Sequence, residues 1–540
     1  MKKLAKSVSF LAIGVVIFAA IQGVLIPNWK SIENVDCVVH TIQLLKPNTV
    51  DVLYLGPSHV EFGISPMKIY EDKKICSYNL GSPGQTIECS YYMLKYAVQQ
   101  QKPKVVMVDA SSLFYADTDL WEHDASWRYL IHNIPVGTLK MEMAKAYCEL
   151  YDDTMTSVVF PIVKYHSRWA ELTVEDFQFS TGSTPYYSAG EWLYTLVNAA
   201  GLTVDYSNTV ADEMIRRNYG YISYFDGQSV KQGNVEQTLY APIIQNRNIE
   251  YLLKMKQLCE ENNTELALIK IPSLADPPLQ KSAWTKEKSR CVKQLAEQYQ
   301  LPFFDLMYDY DDVVDFSVDT GDSGKHLNVR GAEKVSVLLA DILERVFQIS
   351  GRPNSQYDVM LTDYQKARGI AMLETETDFV SYLNRLARHK EDWTIFISAS
   401  NEYTFGMAPS DYALTEELLG LKLISDGRAF SSYMAVIDRG SLLYEAVSDR
   451  RIDHTMDVNG RTVSLSSSNW YTFPYVSVEI DGREYVQGNI GLNIVVLDNE
   501  SGLVIDSVGF ETSLPGKPAY RNGSNINDYF RAYESAVCFE

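Results

Sequence analysis

Between residues 51 and 347, short apolar segments alternate with longer helical patterns. The apolar segments predict buried strands at residues 51–56, 104–109, 265–271 and 301–306. Helical patterns follow at residues 87–101, 284–299 and 331–347. Continuously apolar strands that alternate with helices are typical of a parallel sheet covered on both faces. We therefore predict an α/β domain at residues 45–350, with a long Tyr- and Trp-rich insertion at about 115–240 that interrupts the alternation.

The sequence pattern changes towards the C-terminus. Residues 351–390 predict a linker followed by a helix, and residues 391–515 consist of short alternating strands separated by turn residues. Such a series is typical of a β-rich domain. The remaining residues, 516–540, are polar and predict a tail.

The first 29 residues predict the location of the protein. Residues 7–29 contain no charged side chain, and the apolar stretch 8–26 is just long enough to cross a bilayer as a helix. Three lysines precede it, at positions 2, 3 and 6, so the positive-inside rule places the bulk of the chain outside the cytoplasm. We expect a single-pass anchor in the cell membrane. A cleaved signal peptide is the alternative.

Charge and cysteine content exclude several classes of protein. The net charge of the 540-residue chain is −21 and its isoelectric point is near 4.9, with no basic stretch, which argues against nucleic-acid binding. Seven scattered cysteines without a CxxC motif favour free thiols over a zinc framework or a disulfide scaffold. We predict neither a metal nor a cofactor.

A serine and a histidine are placed where a nucleophile and its base are expected. Ser58 follows the first predicted strand by two residues, at a tight turn that would hold it at the carboxyl edge of the sheet, where α/β proteins bind ligands. His326 lies far downstream, with Asp322 four residues before it and Asp319 as a second acid. Histidine can take the serine proton, and a carboxylate can orient the imidazole.

These residues resemble the SGNH (GDSL-like) hydrolase superfamily over roughly residues 48–350. The segment 56–58 is similar to its first block, the segment 79–86 to its second, and the segment 322–334 to its last. The resemblance implies a flavodoxin-like fold, a catalytic Ser58, Asp322 and His326, and an oxyanion hole from the backbone N–H groups of Ser58 and Gly84. It is strongest to the membrane-anchored, extracytoplasmic branch related to DltD and to alginate O-acetylating proteins.

The sequence departs from this family in two places. The family spaces its Asp and His three residues apart, whereas Asp322 and His326 are four apart. Its third block has Gly-x-Asn-Asp, but the second predicted strand is followed by Asp109 and no Asn. An oxyanion donor is therefore missing from the expected place, and the side chains of Gln85 and Ser112 are possible substitutes.

The second domain carries a different resemblance. Residues 433–438 and 491–512 are similar to the interleukin-like EMT inducer (PANDER-type) domain, over roughly residues 391–515. The resemblance implies a carbohydrate-binding accessory role. Trp470 and Tyr471 are candidates for stacking on a sugar, although we favour core packing for both.

Three functions fit the sequence. The branch resemblance and the predicted anchor favour an acyltransferase that carries an acyl group, most plausibly acetyl, on Ser58 and passes it to a hydroxyl of an envelope polysaccharide. A membrane-bound O-acyltransferase is its expected partner. The alternatives are an esterase that deacylates surface glycans and a non-catalytic adaptor that binds a glycan or a synthesis complex.

Overall fold

The computed structural model describes the chain in ranges: 2–25, 42, 45–115, 120–172, 242–273, 283–316, 319, 326–327, 329–376, 378–486, 490–514 and 521–522. Within the predicted insertion, residues 116–119 and 173–240 lie outside these ranges. Asp322 and nearly all of the predicted tail also lie outside them. The chain divides into two compact units, with the boundary between Tyr364 and Gln365.

The first unit contains a parallel sheet of five strands, in the order β2-β1-β3-β4-β5. The strands are β1 (Val52–Leu55), β2 (Ser77–Asn79), β3 (Val105–Asp109), β4 (Glu265–Lys270) and β5 (Phe303–Asp305). The predicted parallel α/β sheet is confirmed. Strand β2 is additional to the prediction, because its three residues include a serine and an asparagine and form no apolar run.

Helices flank these strands in the chain. They are α1 (Lys2–Leu25), α2 (Ser58–Gly63), α3 (Pro66–Lys73), α4 (Ile87–Ala97), α5 (Leu120–Asn133), α6 (Thr138–Tyr151), α7 (Met155–Val159), α8 (Pro161–Lys164), α9 (Asn246–Glu261), α10 (Ala283–Tyr299), α11 (Val329–Arg345) and α12 (Ser355–Thr375). Among the described residues, no helix combines the length and the apolar character needed to span a bilayer.

The central strands have apolar side chains on both faces. Along β1, Leu53 and Leu55 join one core, while Val52 and Tyr54 join the core on the other side of the sheet. Strand β3 alternates in the same way. Because successive side chains of a strand point to opposite faces, a strand without polar positions requires cover on both sides.

The described part of the predicted insertion is helical and contributes to the core. In α5, Trp127, Leu130 and Ile131 are buried in the same cluster as Leu53 and Leu55. The described part of the insertion therefore does more than cover an edge of the sheet, because α5 contributes to the core that contains Leu53 and Leu55.

The second unit begins within α12, at Gln365, continues with helix α13 (Phe379–His389) and is built on a ten-stranded sheet, which confirms the predicted β-rich region. Helix α14 (Pro409–Leu419) follows its first strand. The strands are β6 (Trp393–Asn401), β7 (Ser432–Asp438), β8 (Ser441–Ser448), β9 (Ile452–Val458), β10 (Arg461–Asn469), β11 (Val476–Ile480), β12 (Arg483–Glu484), β13 (Gly491–Asp498), β14 (Val504–Phe510) and β15 (Arg521–Asn522). Strand β6 pairs along most of its length with β7 and β13, which makes it central.

The turn after β1 requires glycine at position 56. Gly56 has φ +152°, and a Cβ atom there would lie 2.6 Å from Val60 Cγ2 and 2.8 Å from Asp109 Cβ. This backbone region is essentially restricted to glycine. The turn brings the chain from β1 directly into α2, whose first residue is Ser58.

Replacing Gly56 by alanine should destabilise the first unit. Backbone strain alone costs about 1–3 kcal/mol, and the contacts with Val60 and Asp109 add to it. Chemical denaturation of Gly56→Ala should show this loss. Gly137→Ala is the matched control, because Gly137 has an extended backbone and its nearest neighbour to a new Cβ is 3.9 Å away. Equal unfolding free energies for the two variants would contradict the argument.

The stability should also depend on the protonation of His132. Desolvation, assisted by the charges of Lys140 and Arg128, lowers the pKa of His132 to about 4. The unfolded chain, with an ordinary histidine pKa near 6.5, binds this proton first, so stability falls as the pH drops from about 6.5 to 4. We expect His132→Gln to lose less of its thermal stability than wild type between pH 7 and pH 5. An unchanged pH dependence would contradict this assignment.

Candidate active site

Ser58 and His326 meet at the carboxyl edge of the parallel sheet. Ser58 Oγ lies 2.8 Å from His326 Nε2, although the two residues are 268 positions apart. Both side chains are partly exposed, so a substrate can reach them. A serine hydroxyl within hydrogen-bond distance of an imidazole nitrogen is the arrangement that a general base needs to activate a nucleophile.

Aromatic and polar groups surround the imidazole of His326. The ring of Phe62, from helix α2, approaches it edge-on at 4.7 Å between centroids. The ring of His59 lies 5.7 Å from it, and His59 Nε2 is 3.1 Å from the hydroxyl of Ser273 in the loop after β4. His59 therefore lies beside His326 at the candidate site.

The acidic residue of the predicted triad is not located. Asp322 lies outside the residues that the structure describes. Asp319, the second acid near His326 in sequence, is fully buried and has other partners. Its carboxylate forms an ion pair with Lys334, lies 3.7 Å from Arg330 and accepts the backbone N–H of Asp315. These contacts tie Asp319 to the start of α11.

The loop after β2 is fastened to the turn that carries Ser58. Leu80 N–H donates to the carbonyl of Tyr54, and Ser82 N–H donates to the carbonyl of Gly56. The buried side chain of Asn79 donates to the carbonyls of Val60 and Ile64. Asn79 thereby holds α2 against the loop, a role that the sequence motif alone did not indicate.

Two backbone N–H groups are available as oxyanion donors. Ser58 opens helix α2, and Gly84 has φ +62°, the left-handed conformation that glycine adopts most readily. Neither N–H group donates a hydrogen bond to another residue in the described ranges. Both therefore remain able to stabilise a developing oxyanion.

The two proposed substitute donors have other hydrogen-bond partners. The amide of Gln85 donates to Ser90 Oγ and accepts from Ser82 Oγ, and the hydroxyl of Ser112 donates to the carbonyl of Asp109. Both side chains are fully buried. Within the described part of the chain, no hydrogen bond joins either side chain to Ser58 or His326, and their role as substitutes for the Asn stays a prediction.

Asp109 occupies the end of β3, where the related motif begins. Its carboxylate accepts the N–H groups of Ser111 at 2.7 Å and of Ile271 at 3.1 Å. Complete burial raises the pKa of this carboxyl group, and these hydrogen bonds act against that rise. The carboxyl group accepts in both contacts, and we assign Asp109 to the connection between the end of β3 and the loop after β4.

Two side chains of helix α5 contact the loop that carries Gly84, and the sequence did not predict either of them. His123 Nδ1 is 2.9 Å from the carbonyl oxygen of Gly84, and Ser126 Oγ donates to the carbonyl of Pro83 at 2.5 Å. The spacing of three residues between His123 and Ser126 places them on one helix face. No motif relates them to a loop about 40 residues earlier, and only their contacts identify them.

No group of three potential metal ligands occurs among the residues that the structure describes. Among the described residues, neither His123 nor His132 therefore belongs to such a group. His123 is instead stacked on Tyr115 at 4.2 Å between ring centroids.

The second unit exposes a group of aromatic side chains. Trp470 is 61% and Tyr471 75% exposed, so the predicted core packing of both residues is wrong. They lie in the short turn after β10, beyond the end of the strand, and their rings do not pack in the core. We call the group the aromatic surface cluster. Its members are the exposed Phe405, Trp470, Tyr471, Phe473 and Tyr475, together with the half-buried Phe430 that contacts two of them.

Three rings of the aromatic surface cluster contact one another. Phe430 lies between Phe405 and Tyr471, at centroid distances of 5.6 and 5.1 Å. Phe430 and Phe473 both have positive φ, which is unusual for bulky residues and marks positions where the surrounding structure imposes the conformation. Tyr475 also contacts the guanidinium of Arg451.

Comparisons with known proteins give only remote similarity. No family model matches the chain, and no curated protein matches it. Two similar solved structures are a putative acylhydrolase from Bacteroides fragilis NCTC 9343 and a GDSL-like lipase from Bacteroides thetaiotaomicron VPI-5482. Each is 12% identical. They cover 59% and 57% of this chain and 99% and 94% of their own, with TM-scores of 0.28 and 0.26. TM-scores this low give no information about the function of this chain.

Proposed function

We propose that the protein is an extracytoplasmic serine acyltransferase that passes an acyl group, most plausibly acetyl, to a hydroxyl of a cell-envelope polysaccharide. The observation that carries the proposal is the 2.8 Å contact between Ser58 Oγ and His326 Nε2 at the carboxyl edge of a parallel sheet. This pair can form and release an acyl-enzyme without a metal or an organic cofactor.

The reaction has two halves. In the first, Ser58 Oγ attacks the acyl carbonyl while His326 takes its proton, and the oxyanion forms beside the N–H groups of Ser58 and Gly84. The tetrahedral intermediate collapses, and His326 gives the proton to the departing group of the donor. In the second, His326 takes a proton from the acceptor hydroxyl, whose oxygen attacks the acyl-serine, and the proton then returns to Ser58.

The nature of the acceptor separates this proposal from its nearest alternative. Water as acceptor would make the protein an esterase that deacylates surface glycans, with the same residues in the same roles. We favour transfer because the sequence resembles an extracytoplasmic branch of acylating proteins. A membrane-bound O-acyltransferase would then supply the acyl group from the membrane side. The location at the cell membrane is part of this proposal and rests on the apolar stretch of the sequence at residues 8–26 alone, since no described helix has the length and apolar character to span a bilayer.

A second candidate function is a non-catalytic adaptor that binds glycans. The aromatic surface cluster favours it, because exposed patches of large apolar side chains mark binding surfaces. Phe473 in this cluster is 87% exposed. The cluster is equally compatible with an enzyme that holds its polymeric acceptor through the second unit, so the activity of Ser58 decides between the two functions.

The first prediction from this proposal is covalent labelling of Ser58. A fluorophosphonate probe should react with the full-length protein and leave a modified peptide that contains Ser58. Ser58→Ala should abolish the label, and His326→Ala should slow labelling by at least about 100-fold because the hydroxyl loses its base.

A buried serine of the same unit provides the control. Ser157→Ala should be labelled like wild type, because the hydrogen bonds that Ser157 Oγ donates go to Asp153 and Thr154, just before α7. Absence of labelling in wild type, under conditions that label a known serine esterase, would reject an activated serine. The adaptor would then be the better description, and loss of glycan binding in Tyr471→Ser would support it.

The second prediction concerns the acceptor. With p-nitrophenyl acetate as donor, adding a soluble polysaccharide should divert acetyl groups from acetate to O-acetylated sugar. Mass spectrometry of the sugar and measurement of free acetate report the two outcomes separately. Acetate release that is unaffected by the polysaccharide, with no acetylated sugar, would identify an esterase.

A further inference from the structure

Helix α5 contacts the loop that carries Gly84 through two buried side chains. Ser126 Oγ donates to the carbonyl of Pro83, and His123 Nδ1 lies 2.9 Å from the carbonyl of Gly84. Because a carbonyl oxygen can only accept, the Nδ1 atom of His123 carries the proton. Ser126 is 8% and His123 6% exposed, so water competes little for these two carbonyls.

The contact of Ser126 determines where the Gly84 N–H group points. The carbonyl of Pro83 and the N–H of Gly84 belong to one peptide unit, which is planar, and in the trans form they point in opposite directions. Fixing the Pro83 oxygen towards α5 therefore directs the Gly84 N–H away from α5. A hydrogen bond at the carbonyl also polarises the unit and makes its N–H a stronger donor.

The contact of His123 fixes the next peptide unit. The Gly84 carbonyl belongs to the same unit as the Gln85 N–H, which donates to the carbonyl of Ser82. Gly84 is thus held on both sides. This support matters because glycine has more backbone freedom than any other residue, and an unsupported Gly84 could rotate its N–H away from a reacting oxygen.

We propose that Ser126 and His123 are positioning residues, which hold the Gly84 N–H in the direction required for stabilising the oxyanion. The inference rests on the proposed acyl chemistry of Ser58 and extends it. It assigns a role in the reaction to α5, a helix outside the three resembling blocks. An oxyanion site without the Asn of the related motif depends more on its backbone donors, so the direction of the Gly84 N–H matters more in this protein.

The test compares pairs of variants that share a shape and differ in the donor. Ser126→Thr keeps the hydroxyl, and Ser126→Val replaces it by a methyl group of the same size. His123→Asn keeps an N–H near the position of Nδ1, and His123→Leu removes it. The measurements are kcat and KM for p-nitrophenyl acetate with the full-length protein, together with the thermal unfolding midpoint of each variant.

We expect kcat of Ser126→Val to be about 10- to 100-fold below that of Ser126→Thr, with KM within about threefold. Complete removal of one oxyanion donor costs about 100- to 1000-fold, and a misdirected donor should cost less. His123→Asn should retain more of kcat than His123→Leu. If the two side chains had only a structural role, the substitutions would lower the unfolding midpoint or the active fraction. They would not lower kcat per active site while KM stays nearly unchanged. The active fraction is counted by fluorophosphonate titration.

The outcomes separate this inference from the proposed function. If wild type is labelled at Ser58 and turns over the ester, equal kcat values per labelled site in Ser126→Thr and Ser126→Val overturn the positioning role alone. If wild type is neither labelled nor active, the proposed function fails, and the inference fails with it. If Ser126→Val does not fold, the His123→Asn and His123→Leu pair decides by the same criterion.

Discussion

Backbone hydrogen bonds between the turn after β1 and the loop after β2 determine the arrangement of the candidate site. The carbonyl of Gly56 accepts from Ser82, and the carbonyl of Tyr54 accepts from Leu80. These bonds place the loop of Gly84 beside the turn that carries Ser58. The turn itself requires glycine, because a Cβ atom at position 56 would overlap Val60 and Asp109. The positions of Ser58 and Gly84 relative to each other thus depend on the turn at Gly56 and on these two hydrogen bonds.

The end of β3 shows how this site differs from the motif that it resembles. A buried carboxylate, Asp109, takes the N–H groups of Ser111 and Ile271 and joins two neighbouring strands. The side chains of Gln85 and Ser112 make their hydrogen bonds within the surrounding loops, and their role as substitutes for the Asn stays a prediction. In the proposed reaction, the backbone N–H groups of Ser58 and Gly84 are then the donors to the oxyanion. The proposed support of Gly84 by α5 matters for this reason.

The pattern of the sequence was sufficient to predict the parallel sheet and the β-rich unit. It was not sufficient for β2, whose three residues form a strand because β1 offers them a partner. The exposure of Trp470 and Tyr471 was also not predictable. Aromatic residues at the end of a strand can turn inwards or outwards, and the local turn decides which occurs.

By itself, the sequence determined the residue types of the site and the elements that carry them. An apolar strand followed by Gly56 and Ser58, and a downstream His326, were enough to expect a serine and its base. Only the tertiary structure brought Ser58 within 2.8 Å of His326 and placed His123 and Ser126 on the Gly84 loop. The physical reason is the range of the interactions. Strand and helix patterns depend on neighbours a few residues away, whereas these contacts join segments about 40 to 270 residues apart, and packing alone brings them together.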